Sequence, residues 1–170
     1  MTSRRRPATT QEVKALAHPL RLRILRLCGQ AELTNKQLAD RVERDPGTVL
    51  YHVRLLVSAG LLEQAEVRTG PSGAMEKPYR STGRSWWLEG PLREEDTAFA
   101  PVEAFQEDLA AAGPDSLLLC SRFALHLSDT DLAELDRRIH KVLDDYIDTD
   151  HHRTNHPLHG GAIILHRMAE

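Results

Sequence analysis

Between Thr34 and Leu62 the apolar positions keep a helical period twice, with a short polar break between the two runs. Thr34 followed by Gln37 has the spacing of a capping box and predicts a helix from Asn35 to about Val42. After a turn at Glu43 and Arg44, Asp45 as N-cap and Pro46 at the first helical position open a second helix. Gly60 closes it as a left-handed cap. On the second helix Val49, Val53, Leu56 and Val57 form one apolar stripe that has to be buried. Gly47, Tyr51, Arg54 and Ser58 point the other way, with Thr48 and His52 on one flank of that exposed face and Leu50 on the other. The two helices predict a helix-turn-helix whose second member offers hydroxyls, an imidazole and a guanidinium to a DNA groove.

The pattern on either side supplies a frame for this unit. Thr9 and Glu12 make another capping box, starting a helix from Thr10 to Ala17. His18-Pro19 interrupts it, and Pro19 opens a helix whose core positions are Leu20, Ile24 and Leu27, flanked by Leu22 and Leu25, ending at Gly29. His18 is read as structural. Beyond Gly60, Leu62 to Arg68 and Met75 to Ser81 read as two strands around the loop TGPSGA, which makes a β-wing. Pro78 in the returning strand predicts an edge position. Trp86 and Trp87 follow, one of them expected to close the core.

Gly90-Pro91 and the acidic LREEDT mark a linker. From Ala98 to Ala112, Phe99, Val102, Phe105 and Leu109 recur at the spacing of a helix seam, suited to core packing or to a dimer interface. LLLCSRFALHL then alternates as a strand with Leu119, Phe123, Leu125 and Leu127 on one face. Ser128 caps a helix to about Ile147 with Leu132, Leu135, Ile139, Leu143 and Tyr146 inward, and AIILHRM reads as a second strand.

ALAHPLRLRILRLC followed by LTNKQLADRVERDPGTVLYHVRLLVSAGLLE resembles the ArsR-type winged helix-turn-helix transcriptional regulators, over roughly Val13 to Leu88. The HPLRLRIL segment, the TVLYHVRLL helix and AGLL carry the resemblance. It implies a homodimeric transcription factor on double-stranded DNA. Metal-sensing members of that family carry a Cys pair in the first helix of the motif; NKQLADRV has none, so metal sensing by that site is not implied. The expected fold is α+β: a winged helix-turn-helix domain over residues 1–89, then over 90–170 a dimerisation helix and a small strand-helix-strand subdomain able to hold a small-molecule effector. The DNA contacts expected are Asn35, Lys36, Thr48, Tyr51, His52 and Arg54 from the two helices, and Arg68, Lys77 and Arg80 from the wing.

Charge sharpens this division. The formal net charge is −3, but residues 1–88 carry 15 Lys/Arg against 8 Asp/Glu (+7), and the remainder 7 against 17 (−10). A basic half suits the phosphate backbone, and an acidic half would turn away from it. Arg4, Arg5 and Arg6 ahead of Pro7 could form a mobile arm to DNA. No apolar run has the length of a membrane span, and MTSRRRPATT lacks a signal-peptide core, so a cytoplasmic location is expected. Cys28 and Cys120 have no close Cys partner and are expected as buried, reduced thiols. His151, His152, His156 and His159 cluster in HHRTNHPLH, but without Cys or a helical frame they read as a solvated loop rather than a metal site. Walker, GxGxxG, nucleophile-elbow and HExxH motifs are all missing, so neither an enzyme nor a cofactor is expected. The alternatives to a DNA-binding repressor are a winged-helix protein-interaction module and a metal-responsive regulator using the histidine loop.

Overall fold

The computed structural model describes residues 5–89 and 98–169, which fall into two compact units, Met1–Pro114 and Asp115–Glu170. The linker expected at 90–97, and Arg4, lie outside the described residues. The first unit begins with strand β1 (Arg6–Pro7) and helices α1 (Thr10–Leu16) and α2 (Pro19–Gln30). Strand β2 (Leu33–Thr34), helix α3 (Asn35–Val42) and helix α4 (Pro46–Ser58) come next. Strands β3 (Leu62–Gln64), β4 (Arg68–Thr69), β5 (Met75–Glu76), β6 (Pro78–Ser81) and β7 (Leu88–Glu89) are followed by helix α5 (Ala100–Ala112). Architecture and charge pattern together are those of an α+β winged helix-turn-helix.

Local hydrogen bonds place the helix ends where the residue types require. Thr9 with Glu12 and Thr34 with Gln37 both form complete capping boxes, satisfying amides that the first turn leaves without partners. His18 caps α2 through Nδ1, which accepts from the Leu20 amide at 3.1 Å. Asp45 caps α4, its carboxylate accepting from the Thr48 amide at 3.0 Å. At the other ends Glu43 (φ 54°) stops α3 and Gly60 (φ 69°) stops α4, both left-handed.

The core lies where α2, α3 and α4 meet the sheet. Ile24, Leu38, Val49, Val53 and Leu56 are completely buried there, with Leu33, Leu61 and Leu62 closing it from the strands. Cys28 joins this core, and burial pushes its thiol up to about 12. The sheet has three strands in the order β2-β6-β3, with Leu33 opposite Tyr79 and Leu62 opposite Ser81, both antiparallel. This corrects the edge position expected for Pro78: β6 is the central strand and Pro78 is fully buried. It is tolerated because it is the first residue of the strand, where its lack of an amide breaks no interior bond. The wing tip is a separate hairpin, β4 with β5, turned through Gly70 to Gly73 (φ 80°).

Arg5 and Arg6 do not form a free arm. β1 pairs in parallel with β7, Arg6 binds the buried Glu12 at 2.6 Å, and the Arg5 guanidinium donates to the Trp86 carbonyl and lies over both indoles. Half-buried Trp86 and Trp87 thus hold the N-terminal strand.

Helix α5 belongs to the first unit, so the division falls after it rather than at 89–90. Small residues, Ala100 and Ala104, allow α5 close to α2, and Arg23–Glu107 (2.7 Å) and Arg26–Asp108 (2.6 Å) flank the contact. Phe99 is left 69% exposed, and Val102, Phe105 and Leu109 are only half-buried.

In Asp115–Glu170, Ser128 and Asp131 cap helix α6 (Asp129–Asp148) with a full capping box. The two flanking strands do not form: neither 117–127 nor 162–168 takes part in a ladder, and Cys120 is exposed, not buried. Alternation provides a strand with two faces but not with a neighbour to hydrogen-bond.

The hydrogen bond from Arg6, with further bonds from Thr9, holds the Glu12 carboxyl down at about 2, below the 4.5 of an unperturbed glutamate. A depressed carboxylate contributes stability that is complete above about pH 4.5 and is lost as pH falls towards 2. Glu12→Gln is therefore expected to lower stability at pH 7 and to flatten its decline between pH 4.5 and 2, measured by urea melts across that range. An unchanged slope would show that the Arg6 pair does not form in solution.

Candidate nucleic-acid interface

Helices α3 and α4 are set against each other by apolar packing and by one polar tie. Asn35 Nδ2 donates to the Pro46 carbonyl at 2.9 Å, joining the start of one helix to the start of the other. Asn35 therefore positions α4 rather than reaching outward. With Val49, Val53 and Leu56 inward, α4 presents Thr48, Tyr51 and Arg54 to solvent, Tyr51 being 60% exposed. Gly47 keeps the first turn clear, since a Cβ there would lie 2.9 Å from the Asp45 carboxylate.

His52 is not on this face. It is 7% exposed, its ring centroid lies 4.6 Å from that of His18, and its Nδ1 is 3.4 Å from Arg21 Nη1. Arg21 is anchored in turn by donating to the Ala15 and Lys14 carbonyls, both at 2.6 Å. The buried arc of α4 thus runs through Val49, His52, Val53 and Leu56, and Val57, expected inside, is 38% exposed. The reason is tertiary: the α1–α2 junction packs on the His52 flank. Burial, then the charges of His18 and Arg21, hold the His52 imidazole down at about 4, so it is neutral at pH 7. His18 is lowered as well, by burial and Arg21, with Glu103 of α5 opposing.

The wing is less basic than its arginines suggest. Arg68 binds Glu76 at 3.2 Å and lies 3.8 Å from Glu32, while Arg80 binds Glu63 at 2.7 Å and lies 3.7 Å from Glu32. Lys77 is exposed and, among the described residues, forms no ion pair, and the same holds for Lys36 and Arg54. Sequence reasoning missed the part played by α1. Gln11 Nε2 donates to the Ser58 carbonyl at 2.9 Å, and a groove of about 550 Å³ opens between the two helices, lined by Thr10, Lys14, Tyr51 and Leu55 among others. The polar side of α1 was visible in the sequence; its place beside Tyr51 was not.

The histidine loop lies in the second unit. The His151 and His152 rings meet at a tilt of 45° with centroids 3.8 Å apart, and His152, His156 and His159 are exposed. Among the described residues no group of three or more His, Cys, Asp or Glu side chains is arranged to hold a metal.

Residues 16–65 match the family model of a helix-turn-helix domain, from the end of α1 to just beyond β3. No curated protein matches the chain. The match coincides with the capped helix pair and the exposed face of α4, and it is followed by the wing. A helix-turn-helix of this kind is the mark of a DNA-binding regulator, a class whose members are typically not enzymes. No helix among the described residues is long and apolar enough to cross a membrane.

Inward and outward residues of α4 should respond unequally to truncation. His52→Ala is expected to cost about 1–3 kcal/mol of stability, because it opens a void beside His18 and Arg21. Tyr51→Ala should stay within about 0.5 kcal/mol of the parent. Because the His52 pKa is depressed from 6.5, its neutral form stabilises the fold above about pH 6.5, and that contribution is lost as pH falls towards 4. Chemical melts at pH 7.5 and 5 on both variants check this. Equal stabilities for the two would show that His52 is not packed.

Proposed function

We propose that the protein is a cytoplasmic, homodimeric transcriptional repressor of the ArsR type that binds a near-palindromic operator. The observation that carries this reading is the exposed face of α4, where Thr48, Tyr51 and Arg54 stand together on a helix whose opposite side is completely buried. Such a helix fits the major groove, where Arg54 would meet a guanine edge and Tyr51 a base edge or phosphate. Lys36 and Lys77 flank it as phosphate contacts. Arg68 and Arg80 can join only by exchanging Glu32, Glu63 and Glu76 for phosphate, a modest cost for exposed pairs.

One recognition helix reads a few base pairs, so two-fold pairing would set half-site centres about 34 Å apart or at a multiple of it. The half-exposed seam of α5, Phe99, Val102, Phe105 and Leu109, supports pairing there. A small-molecule effector lodged in the groove between α1 and α4 would lie against Tyr51 and so alter the reading face directly.

The test is affinity for promoter fragments and scrambled DNA across a salt series, with footprinting of the protected site. Arg54→Ala is expected to cost about 1–3 kcal/mol on the operator alone, whereas Lys77→Ala should weaken all sequences and reduce the salt slope by about one. Equal losses on both DNAs for Arg54→Ala would show that α4 does not read bases. Absence of salt-dependent binding to any DNA would favour a protein-interaction module instead.

A further inference from the structure

Arg21 is held differently from the other guanidiniums that fasten the first unit. Arg6, Arg23, Arg26, Arg68 and Arg80 each meet a carboxylate. Arg21 is half-buried, and among the described residues no Asp or Glu pairs with it. Its donors go to neutral groups instead, the Ala15 and Lys14 carbonyls at 2.6 Å and His52 Nδ1 at 3.4 Å. Three of the five N–H groups of a guanidinium are thereby engaged, which leaves two, together with a charge that burial penalises. The same side chain lines the groove between α1 and α4, and no Asp or Glu lines that groove either. Lys14, which forms no ion pair among the described residues, stands beside it, with the hydroxyls of Tyr51 and Ser58 and the apolar side chains of Ala15 and Leu55 in the same wall. The shape is fixed in advance, by Gln11 Nε2 donating to the Ser58 carbonyl at 2.9 Å and by the bonds from Arg21 back to α1.

We propose that the α1–α4 groove binds a small organic acid, a carboxylate carried on an apolar body such as an aromatic ring or a short alkyl chain. The charge balance sets the sign of the ligand: two cations with no anion in one wall call for a negative group. A carboxylate can accept from the two spare N–H groups of Arg21 and from the Lys14 ammonium together. The apolar part of the wall sets the body. Inorganic phosphate, or a phosphate of a DNA backbone, would leave Ala15 and Leu55 uncovered, whereas a ring or chain removes them from water. At about 550 Å³ the groove falls within the roughly 300–1,000 Å³ of small-molecule sites. Because its walls are tied in place beforehand, little order has to be imposed on binding. An acid seated there neutralises Lys14 and engages the Tyr51 hydroxyl, taking both from DNA. That consequence rests on the DNA-binding reading of α4, and the binding of the acid does not.

The experiment uses the full chain without DNA and three probes, benzoate, phenylacetate and octanoate, followed by amide chemical shifts and calorimetry. At least one acid is expected to give saturable shifts centred on residues 10–15 and 51–58. The matching neutral amides, benzamide, phenylacetamide and octanamide, should bind about tenfold or more weakly, and so should acetate and inorganic phosphate. Lys14→Glu, a change at an exposed position, should weaken the acid by about tenfold or more with the melting temperature unchanged. Arg21→Gln should do the same but also loosens α1, so Lys14→Glu decides. An amide that binds as tightly as its acid, phosphate or acetate that binds as tightly as the larger acids, an unchanged affinity in Lys14→Glu, or no saturable shift with any probe each overturns the proposal. In a second arm the bound acid is expected to weaken promoter binding about tenfold. An unchanged promoter affinity overturns the link to DNA and leaves the site standing on the shifts. Failure to bind any DNA counts against the DNA-binding reading alone.

Discussion

Burial of one side of α4 against α2 and α3 is the contact on which the rest of the first unit depends. A helix of this length is marginal alone in water. Three completely buried side chains, Val49, Val53 and Leu56, each contribute about 1.5–3 kcal/mol and fix both its existence and its rotation. Rotation is what matters for recognition, since it decides that Tyr51 and Arg54 face outward. The polar ties refine the position set by packing: Asn35 reaches the first residue of α4, and Arg21 links the His52 flank to the end of α1. The side chains that would touch DNA are thus held by residues that would not.

Electrostatics in the same unit shows how far formal charge and available charge can diverge. The first 88 residues are basic by seven charges, but Arg5 and Arg6 fasten the N-terminal strand, Arg23 and Arg26 bind α5, and Arg68 and Arg80 bind wing carboxylates. Each guanidinium used in this way supplies several donors to a fixed partner, which a lysine could not match. The cations left for phosphate among the described residues are Lys14, Lys36 and Lys77 with Arg41, Arg44, Arg54 and Arg84. Attraction to DNA would then concentrate near the two helices of the motif instead of spreading over the wing.

The second unit works under the opposite condition. Its helix is capped as well as any in the chain, and its charges make regular pairs along the exposed side, Arg137 and Arg138 with Glu134 for example. Exposed pairs of that kind contribute little.

Helix starts, helix ends and the presence of a buried side were legible in the sequence because they depend on neighbours within four residues. Thr9, Thr34 and Asp45 act through hydrogen bonds to their own turn, Pro19 through its fixed φ and Gly60 through its left-handed φ, so residue type alone specifies them. Periodicity located the inner side of α4 but not its limits. Whether Val57 or His52 completes the buried arc depended on the α1–α2 junction, which no pattern within α4 reports. The same holds for the pairing of β6 with β2, which made Pro78 central, and for the carboxylates that bind Arg68 and Arg80. Alternation in 117–127 and 162–168 determined which side chains share a face, whereas a strand exists only where a second backbone accepts its hydrogen bonds, and that partner is decided by tertiary structure.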